Sequence, residues 1–383
     1  MVGDIEDVLD DLAATLGASL ALEDAEQRLL AHTDPGDVID PVRLASILGR
    51  RATPEVRAWF EQWGILEATS PVRTPAGEAI GALARWCVPV RRNARLLGYI
   101  WVLDDGRLPF EALAPASEAA LAVASVLHRR RRAEQADADL ARDLIEGGDP
   151  SSREVFRHRG PIAVVAVATR SLDGDATATG EVAVAVRRAS EELLHETRAT
   201  AAVGAHVVAI LPLRAIGDLA PARRFVDRVR HLASRQSRGI DVVAGLSSGH
   251  RSVGAAPAAH LEAWRALGVA QSLPATGPVA AWDELGAYRL LAALGADAAV
   301  LVDPRVAALV EVPELAATAR SFLDHAGDVA SSAAALSVHR ATLYQRLARI
   351  AELTGLDLQR SGEDRLAGHL GLRLLELAGV PLR

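Results

Sequence analysis

Hydrophobic positions near the end of the chain recur at spacings of three and four, the period of helices that bury one face. Between Asp328 and Ile350 this pattern predicts two short helices joined by a tight turn at Ser337. Asp328 suits the start of the first helix, because its carboxylate can accept the free backbone N–H groups there. In the second helix, Leu343, Leu347 and Ile350 share one face and are expected in a core. The pattern therefore predicts a helix-turn-helix motif.

The other face of the second predicted helix is polar and basic. At about 100° per residue, Ala341, Gln345 and Ala348 face outward, with further polar side chains beside them. From His339 to Ile350 there are three Arg and no acidic residue, although the whole chain has a formal net charge of −7. A basic helix of this size fits the DNA major groove. The predicted contacts to double-stranded DNA are Arg340, Thr342, Tyr344, Gln345, Arg346 and Arg349.

Each of these residues has an expected partner. The arginines suit phosphate or guanine, Thr342 and Gln345 suit base edges, and Tyr344 suits a thymine methyl group or a phosphate. The alternative is a solvated basic helix in an ordinary helical bundle. Two apolar stripes flank the motif and are expected to pack on its helices: Leu315, Ala319, Phe322 and Leu323 ahead of it, and Leu366, Leu370, Leu374 and Leu377 behind it.

The motif and the residues after it carry a family pattern. Its parts are Val338-His339-Arg340, Thr342-Leu343, Arg346-Leu347, Arg349-Ile350, residues 352–358, Asp364-Arg365-Leu366, His369-Leu370 and Leu372-Arg373-Leu374. Together they resemble the carboxy-terminal domain of bacterial PucR/CdaR-type transcription regulators, and this resemblance implies DNA binding. The chain departs from the family at Ala341, where Asn is common, and at Tyr344-Gln345, where Arg-Tyr or Tyr-Tyr is common. The family's preference for a DNA sequence therefore does not carry over.

Residues 1–110 predict a mixed sheet domain. A helix is expected over Ile5–Leu16, strands over residues 18–22 and 27–31, and helices up to Phe60. Two further strands are expected over 85–90 and 96–103, joined by a polar turn at 91–94. With Trp86, Tyr99 and Trp101 they resemble the closing hairpin of a GAF- or PAS-like sensor domain. That resemblance implies a pocket for a small-molecule effector between sheet and helices, and the alternative is a packing domain without a ligand.

Residues 111–150 predict one long connecting helix. Its apolar spacing suits pairing with a second copy in a homodimer. The run from His128 to Arg132 lies within this helix. It is expected to be a solvated surface rather than a nucleic-acid contact.

Residues 151–271 alternate between strand and helix patterns, which predicts a two-layer α/β or ferredoxin-like domain. It resembles the degenerate GGDEF-like domain of the same regulators. The hairpin of residues 203–208 takes the place of the cyclase signature, and His206 and Val207 stand where a cyclase needs carboxylates for divalent ions. Cyclase activity is therefore not expected. Residues 272–312 predict a linker or hinge, and residues 313–383 the helix-turn-helix domain.

Composition narrows the chemistry further. The 383 residues are 50% hydrophobic and 24% charged, and all 42 basic residues are Arg. Without Lys there is no Schiff-base catalysis and no P-loop phosphate clamp. The single Cys87 is expected in the core, and the scattered His lack metal-ligand spacing, so neither a metal site nor a cofactor is expected. The start of the chain has no signal-peptide pattern and no stretch is apolar enough to span a membrane, which favours the cytoplasm.

One motif favours an enzyme instead. Residues 245–249, Gly-Leu-Ser-Ser-Gly, match the nucleophile elbow of serine hydrolases, with Ser247 as the nucleophile, although a loop rather than a helix follows. A third hypothesis is a non-enzymatic scaffold that binds another protein through Leu366, Leu370 and Leu374. The favoured prediction is an α+β multidomain, non-enzymatic regulator that binds DNA as a homodimer.

Overall fold

The computed structural model describes residues 5–34, 39–49, 51–103, 106–171, 176–194, 199–236, 240–273, 276–294 and 300–378. Residues 1–4, on which the absence of a signal peptide was partly judged, lie outside this set. The chain forms two compact units, Met1–Ala136 and Asp137–Arg383. The content is mixed helix and sheet, as predicted.

The α-helices, in chain order, are α1 Ile5–Leu16, α2 Pro41–Gly49, α3 Pro54–Glu61, α4 Ala114–Glu146, α5 Pro150–Val155, α6 Ala176–Leu193, α7 Ala220–Gln236, α8 Ala256–Ser272, α9 Tyr288–Leu294, α10 Pro304–Val310, α11 Pro313–Asp324, α12 Val329–Ala335, α13 Arg340–Thr354 and α14 Gly362–Leu377. The strands are β1 Ser19–Asp24, β2 Leu29–His32, β3 Val72–Thr74, β4 Arg85–Arg92, β5 Arg95–Leu103, β6 Ile162–Thr169, β7 Thr200–Val203, β8 His206–Pro212, β9 Val242–Leu246 and β10 Val279–Ala281.

The first unit is built on an antiparallel sheet of order β2-β1-β5-β4-β3. Because side chains alternate along a strand, β5 sends Ile100 and Val102 to one face and Tyr99 and Trp101 to the other. The first face packs on α1 and the early turns of α4, and the second packs on α2 and α3. Cys87 lies fully buried on the second face, as predicted. A sheet covered by helices in this way is consistent with a GAF/PAS-like fold.

The middle domain is a sheet of order β10-β9-β6-β8-β7. One face packs on α8 and the last turns of α4, and the other packs on α6 and α7. Strand β10 runs parallel to β9, whereas the other described pairs are antiparallel. The sequence did not predict β10, because three residues are too short to show a period.

The described part of the segment 272–312 is therefore more than the expected linker. It supplies β10 to the middle sheet. It also supplies Val306 and Leu309 of α10, both 0% exposed, to the core of the carboxy-terminal helices. These short elements bury apolar side chains on both sides.

The carboxy-terminal helices α10 to α14 share one core, to which α14 contributes Leu374 and the partly buried Leu377 of the predicted stripe, but the first half of that stripe is exposed. Leu366 and Leu370 are 60% and 40% exposed, whereas Leu372 and Leu375 are buried. The buried face of α14 includes small residues, and a Cβ atom at Gly371 would lie 2.9 Å from a Val306 methyl group. Close packing at Gly371 selects which face of α14 is buried, and leucine spacing does not indicate this choice.

One described helical stretch, Phe110–Glu146, is long and apolar enough by composition to cross a membrane. This is weak evidence, since core helices of ordinary proteins pass the same test. Its apolar side chains Leu113, Val123 and Leu127 are buried in the core of the first unit. Only 33% of its apolar window is buried, so packing accounts for part of the stretch, and one such helix does not by itself indicate a membrane protein.

Candidate nucleic-acid interface

Helices α12 and α13 form the predicted helix-turn-helix. The Asp328 carboxylate accepts the Ser331 N–H at 2.7 Å and so caps α12, as expected. His339 caps α13, with Nδ1 accepting the Ala341 N–H at 3.2 Å. Between the helices, the Ser337 N–H donates to Ala334 O at 3.0 Å. The Val338 N–H donates to Ala333 O, also at 3.0 Å. The turn is thus held by its own backbone hydrogen bonds.

Ser337 has a φ of 56°, in the left-handed region that costs a non-glycine residue about 1 kcal/mol or more. Its side chain is exposed. We expect Ser337→Gly to raise the free energy of unfolding by about 0.5–1 kcal/mol, because glycine adopts this conformation without the steric cost. Urea denaturation of the two proteins measures the difference. A less stable variant would show that the Ser337 side chain contributes a contact that outweighs the strain.

The inward face of α13 is the predicted one. Leu343, Leu347 and Ile350 are 0%, 2% and 0% exposed and belong to the carboxy-terminal core. This seam fixes the rotation of the helix about its axis. Consequently, Tyr344, Gln345, Ala348 and Arg349 point to solvent.

The outward face carries the candidate DNA contacts. Tyr344 is 50% exposed, and Gln345, Arg349 and Arg340 are exposed as well, while Thr342 is half-buried. Ala341 and Ala348 are also exposed on this face, and their short side chains leave room between the longer ones. The candidates other than Arg346 therefore share one accessible surface, which we call the α13 face: Arg340, Thr342, Tyr344, Gln345 and Arg349.

Arg346 lies differently. Its guanidinium forms an ion pair with Glu314 of α11, and its side chain is only 22% exposed. Arg349 also has an acidic neighbour, Glu352, with Nη1 and Oε2 3.1 Å apart, but both side chains are more than 60% exposed. An exposed pair of this kind is screened by water and contributes about 0–1 kcal/mol. Arg349 can therefore turn to a phosphate at little cost, whereas the less exposed Arg346 is restrained by Glu314, whose own side chain is 63% exposed. The sequence could not indicate a partner 32 residues away.

The structure does not support Ser247 as a nucleophile. Ser247 is 0% exposed, its Oγ donates to Ser248 O at 2.7 Å, and it accepts the Val164 N–H at 2.9 Å. The hydroxyl thus joins β9 to β6 and has no access to a substrate. The hydrolase interpretation of this motif was wrong, because a strand-end turn and a nucleophile elbow share the same short pattern.

The hairpin between β7 and β8 brings one further pair together. The Nε2 atoms of His206 and His260 lie 3.2 Å apart. Burial, and then the charge of His260, lowers the pKa of His206 to about 4, and burial also lowers the pKa of His260. Both rings are therefore neutral at pH 7, with one nitrogen donating to the other. Within the described ranges, no group of three or more His, Cys, Asp or Glu side chains is placed to hold a metal ion.

A helix-turn-helix with an exposed polar face, carried by an α/β domain and preceded by a sheet domain, defines a multidomain protein of the helix-turn-helix class. Two family models agree with this assignment. The PucR C-terminal helix-turn-helix domain matches residues 315–374, and the GGDEF-like domain matches residues 156–269. The chain therefore contains a PucR-type helix-turn-helix domain and a GGDEF-like domain.

Among curated proteins, the chain is 30% identical over 104 residues to the DNA-binding transcriptional activator AdeR of Bacillus subtilis (strain 168). The match covers 26% of this chain and 25% of that protein, so the chain spans about a quarter of its relative. Among solved structures, it resembles a regulator of polyketide synthase expression from Bifidobacterium adolescentis, at 21% identity and a TM-score of 0.31 over 62% of this chain and 91% of the other. It also resembles PelD from Pseudomonas aeruginosa PAO1, at 17% identity and a TM-score of 0.21 over 62% and 80%.

Proposed function

We propose that this chain is a cytoplasmic transcription regulator that binds double-stranded DNA as a homodimer and responds to a small-molecule effector. The observation that carries the proposal is the α13 face, an exposed polar surface on a helix whose rotation is fixed by three buried side chains. The PucR-type match over residues 315–374 supports it. We assign no catalytic step to any residue.

In this proposal the α13 face enters the major groove. Arg349 and Arg340 bind phosphate or guanine, Gln345 and Thr342 bind base edges, and Tyr344 contacts a thymine methyl group or a phosphate. Arg346 acts indirectly, because its ion pair with Glu314 joins α13 to α11. Its contribution is then to position the helix rather than to bind DNA.

The dimer and the effector complete the proposal. Two recognition helices on a two-fold dimer would meet half-sites about 34 Å apart, so the operator is a repeat with that spacing. We place the effector in the sheet domain of residues 1–110, with α4 as the dimer helix. The effector can act only by binding one arrangement of the two DNA domains better than the other.

The test is fluorescence anisotropy of the full chain with labelled DNA from upstream of its own gene, between about 50 and 200 mM salt. We expect nanomolar binding at low salt that weakens by about 10³-fold or more over this range, since phosphate contacts release counterions. Sedimentation of the same complexes measures whether two chains bind each site. Failure to bind both this DNA and a pool of genomic fragments would contradict the proposal and favour a protein-binding scaffold.

A further inference from the structure

The interior of the first unit contains a group of buried polar and charged side chains, where a core is usually apolar. Glu23, Gln27, Asp40, Arg43 and Arg85 are each at most 5% exposed. All of them except Asp40 line a small cavity between the sheet and helices α2 and α3, together with the apolar Val56, Phe60 and Trp101. Burying charged side chains costs folding free energy unless each one is paired. Such a group in the middle of a sheet face suggests a binding site.

Most of these groups have internal partners. Asp40 accepts the Leu83 N–H at 2.7 Å and forms an ion pair with Arg85. The Trp101 indole donates to Glu23 Oε2 at 2.8 Å. Arg43 donates through Nη2 to the Ser19 hydroxyl at 3.1 Å. These contacts leave the cluster organised without a ligand.

Three side-chain atoms of this group have no hydrogen-bond partner. Both the nitrogen and the oxygen of the Gln27 amide, and Nε of Arg43, are buried without a hydrogen bond. Gln27 also has a φ of 55°, although it is not a glycine, and its main-chain oxygen accepts the Ala52 N–H at 3.1 Å. A buried amide that is both strained and unpaired is costly, and such residues cluster at ligand sites. The cavity beside them is about 10 Å³, room for about one water molecule, so a larger ligand must displace α2 or α3.

The charges define what fits. The two positive charges of Arg43 and Arg85 and the negative charge of Asp40 give the group a net charge of +1. Glu23 cancels this charge only when it is ionised. Burial raises the pKa of Glu23 to about 7, while Trp101, Arg85 and Arg43 act to lower it and Asp24 to raise it. Arg43 Nε and the Gln27 amide nitrogen are both donors, and a carboxylate offers two acceptors.

We propose that the Gln27–Arg43 cavity is the effector site and that it takes a small monocarboxylate. The carboxylate accepts hydrogen bonds from Arg43 Nε and Gln27 Nε2, and Glu23 takes up one proton as the anion enters. This inference rests on the effector control proposed above and adds the site and the chemical class of the ligand.

Proton uptake makes the binding depend on pH. Above its raised pKa, Glu23 is ionised and must be protonated when the anion binds. We expect the affinity of the full chain to fall about 10-fold from pH 6 to pH 8, because the protonated fraction of a group with a pKa near 7 falls by that factor. Glu23→Gln keeps the neutral form at every pH, so it is expected to bind with no such fall.

The experiment uses formate and acetate as probes, acetamide as an uncharged control, and chloride at matched ionic strength. The thermal unfolding midpoint and ligand-observed NMR of the full chain report binding. We expect formate or acetate to raise the midpoint and acetamide not to do so. Gln27→Leu should abolish the shift and also raise the midpoint of the unliganded protein, since it removes two unpaired buried atoms. Glu67→Leu, at an exposed position in the same unit outside α2 and α3, should retain binding.

Three outcomes would overturn the proposal: no response to either carboxylate, which would leave an ordered water as the occupant; a response to acetamide alone; or binding that survives Gln27→Leu. DNA binding is measured in parallel on the same proteins. Carboxylate binding without DNA binding would remove the proposed regulator but keep the site. DNA binding without carboxylate binding would do the reverse.

Discussion

Replacing Arg349 by Ala is expected to raise the Kd for operator DNA by about 10- to 100-fold, equivalent to about 1–3 kcal/mol. Arg349 lies on the exposed α13 face, and its pair with Glu352 is exposed and weak, so its charge is available to DNA. Anisotropy titrations at several salt concentrations measure both affinity and salt slope. A loss that is uniform across DNA sequences, with the slope smaller by about one, would identify a phosphate contact; a relaxed preference at one base pair would identify a guanine contact.

Two variants serve as controls for Arg349→Ala. Arg251→Ala removes the same charge from an exposed position on the middle domain and should leave the Kd nearly unchanged. Arg346→Ala should weaken binding less than Arg349→Ala, because Glu314 already holds that guanidinium. Equal losses at Arg346 and Arg349 would mean that Arg346 leaves Glu314 when DNA binds. No loss at Arg349 would remove the α13 face as the DNA contact.

The second large effect is expected at Gly245, in the segment that resembles a nucleophile elbow. A Cβ atom there would lie 2.0 Å from Ala263 O and 2.2 Å from Leu267 N, both backbone atoms of α8. Because neither atom can move without shifting the whole helix off the sheet, Gly245→Ala should lower the free energy of unfolding by about 3 kcal/mol or more. Urea denaturation followed by circular dichroism measures it, or the variant fails to accumulate as a folded protein.

The matched control lies in α8 itself. A Cβ atom added at Gly268 would meet no atom within 4 Å, so Gly268→Ala should stabilise the protein by about 1 kcal/mol through helix propensity alone. Opposite signs at the two glycines would establish that Gly245 is required for the contact between α8 and β9. Similar small effects at both would contradict that explanation.

The spacing of apolar residues correctly predicted the buried face of α13, which depends on residues within that helix. Leu343, Leu347 and Ile350 were placed on the buried face of α13 because a helix repeats every 3.6 residues whatever surrounds it. The first half of the α14 stripe, Leu366 and Leu370, was mispredicted, because packing of Gly371 against Val306 depends on a helix much earlier in the chain. Leucine spacing alone could not distinguish the two faces.

The candidate site shows the same limit. The exposed residues of α13 followed from the buried seam, whereas the Arg346–Glu314 pair depends on how α11 crosses α13. The buried group around Gln27 was missed entirely. In the sequence, Glu23 and Arg43 are ordinary charged residues, and only the folded sheet and helices bring them into one interior.

The segment between the middle sheet and the helix-turn-helix has a consequence for how this protein can be divided. A fragment that began at Pro313 would contain the whole DNA-reading motif but would lack Val306 and Leu309, which are buried in its core. A fragment that ended at residue 271 would expose the edge of β9 that β10 covers. The same core also holds Leu291 of α9 and Val302, so the unit that can be transplanted, recombined with another sensor or expressed alone begins no later than Tyr288, where α9 starts.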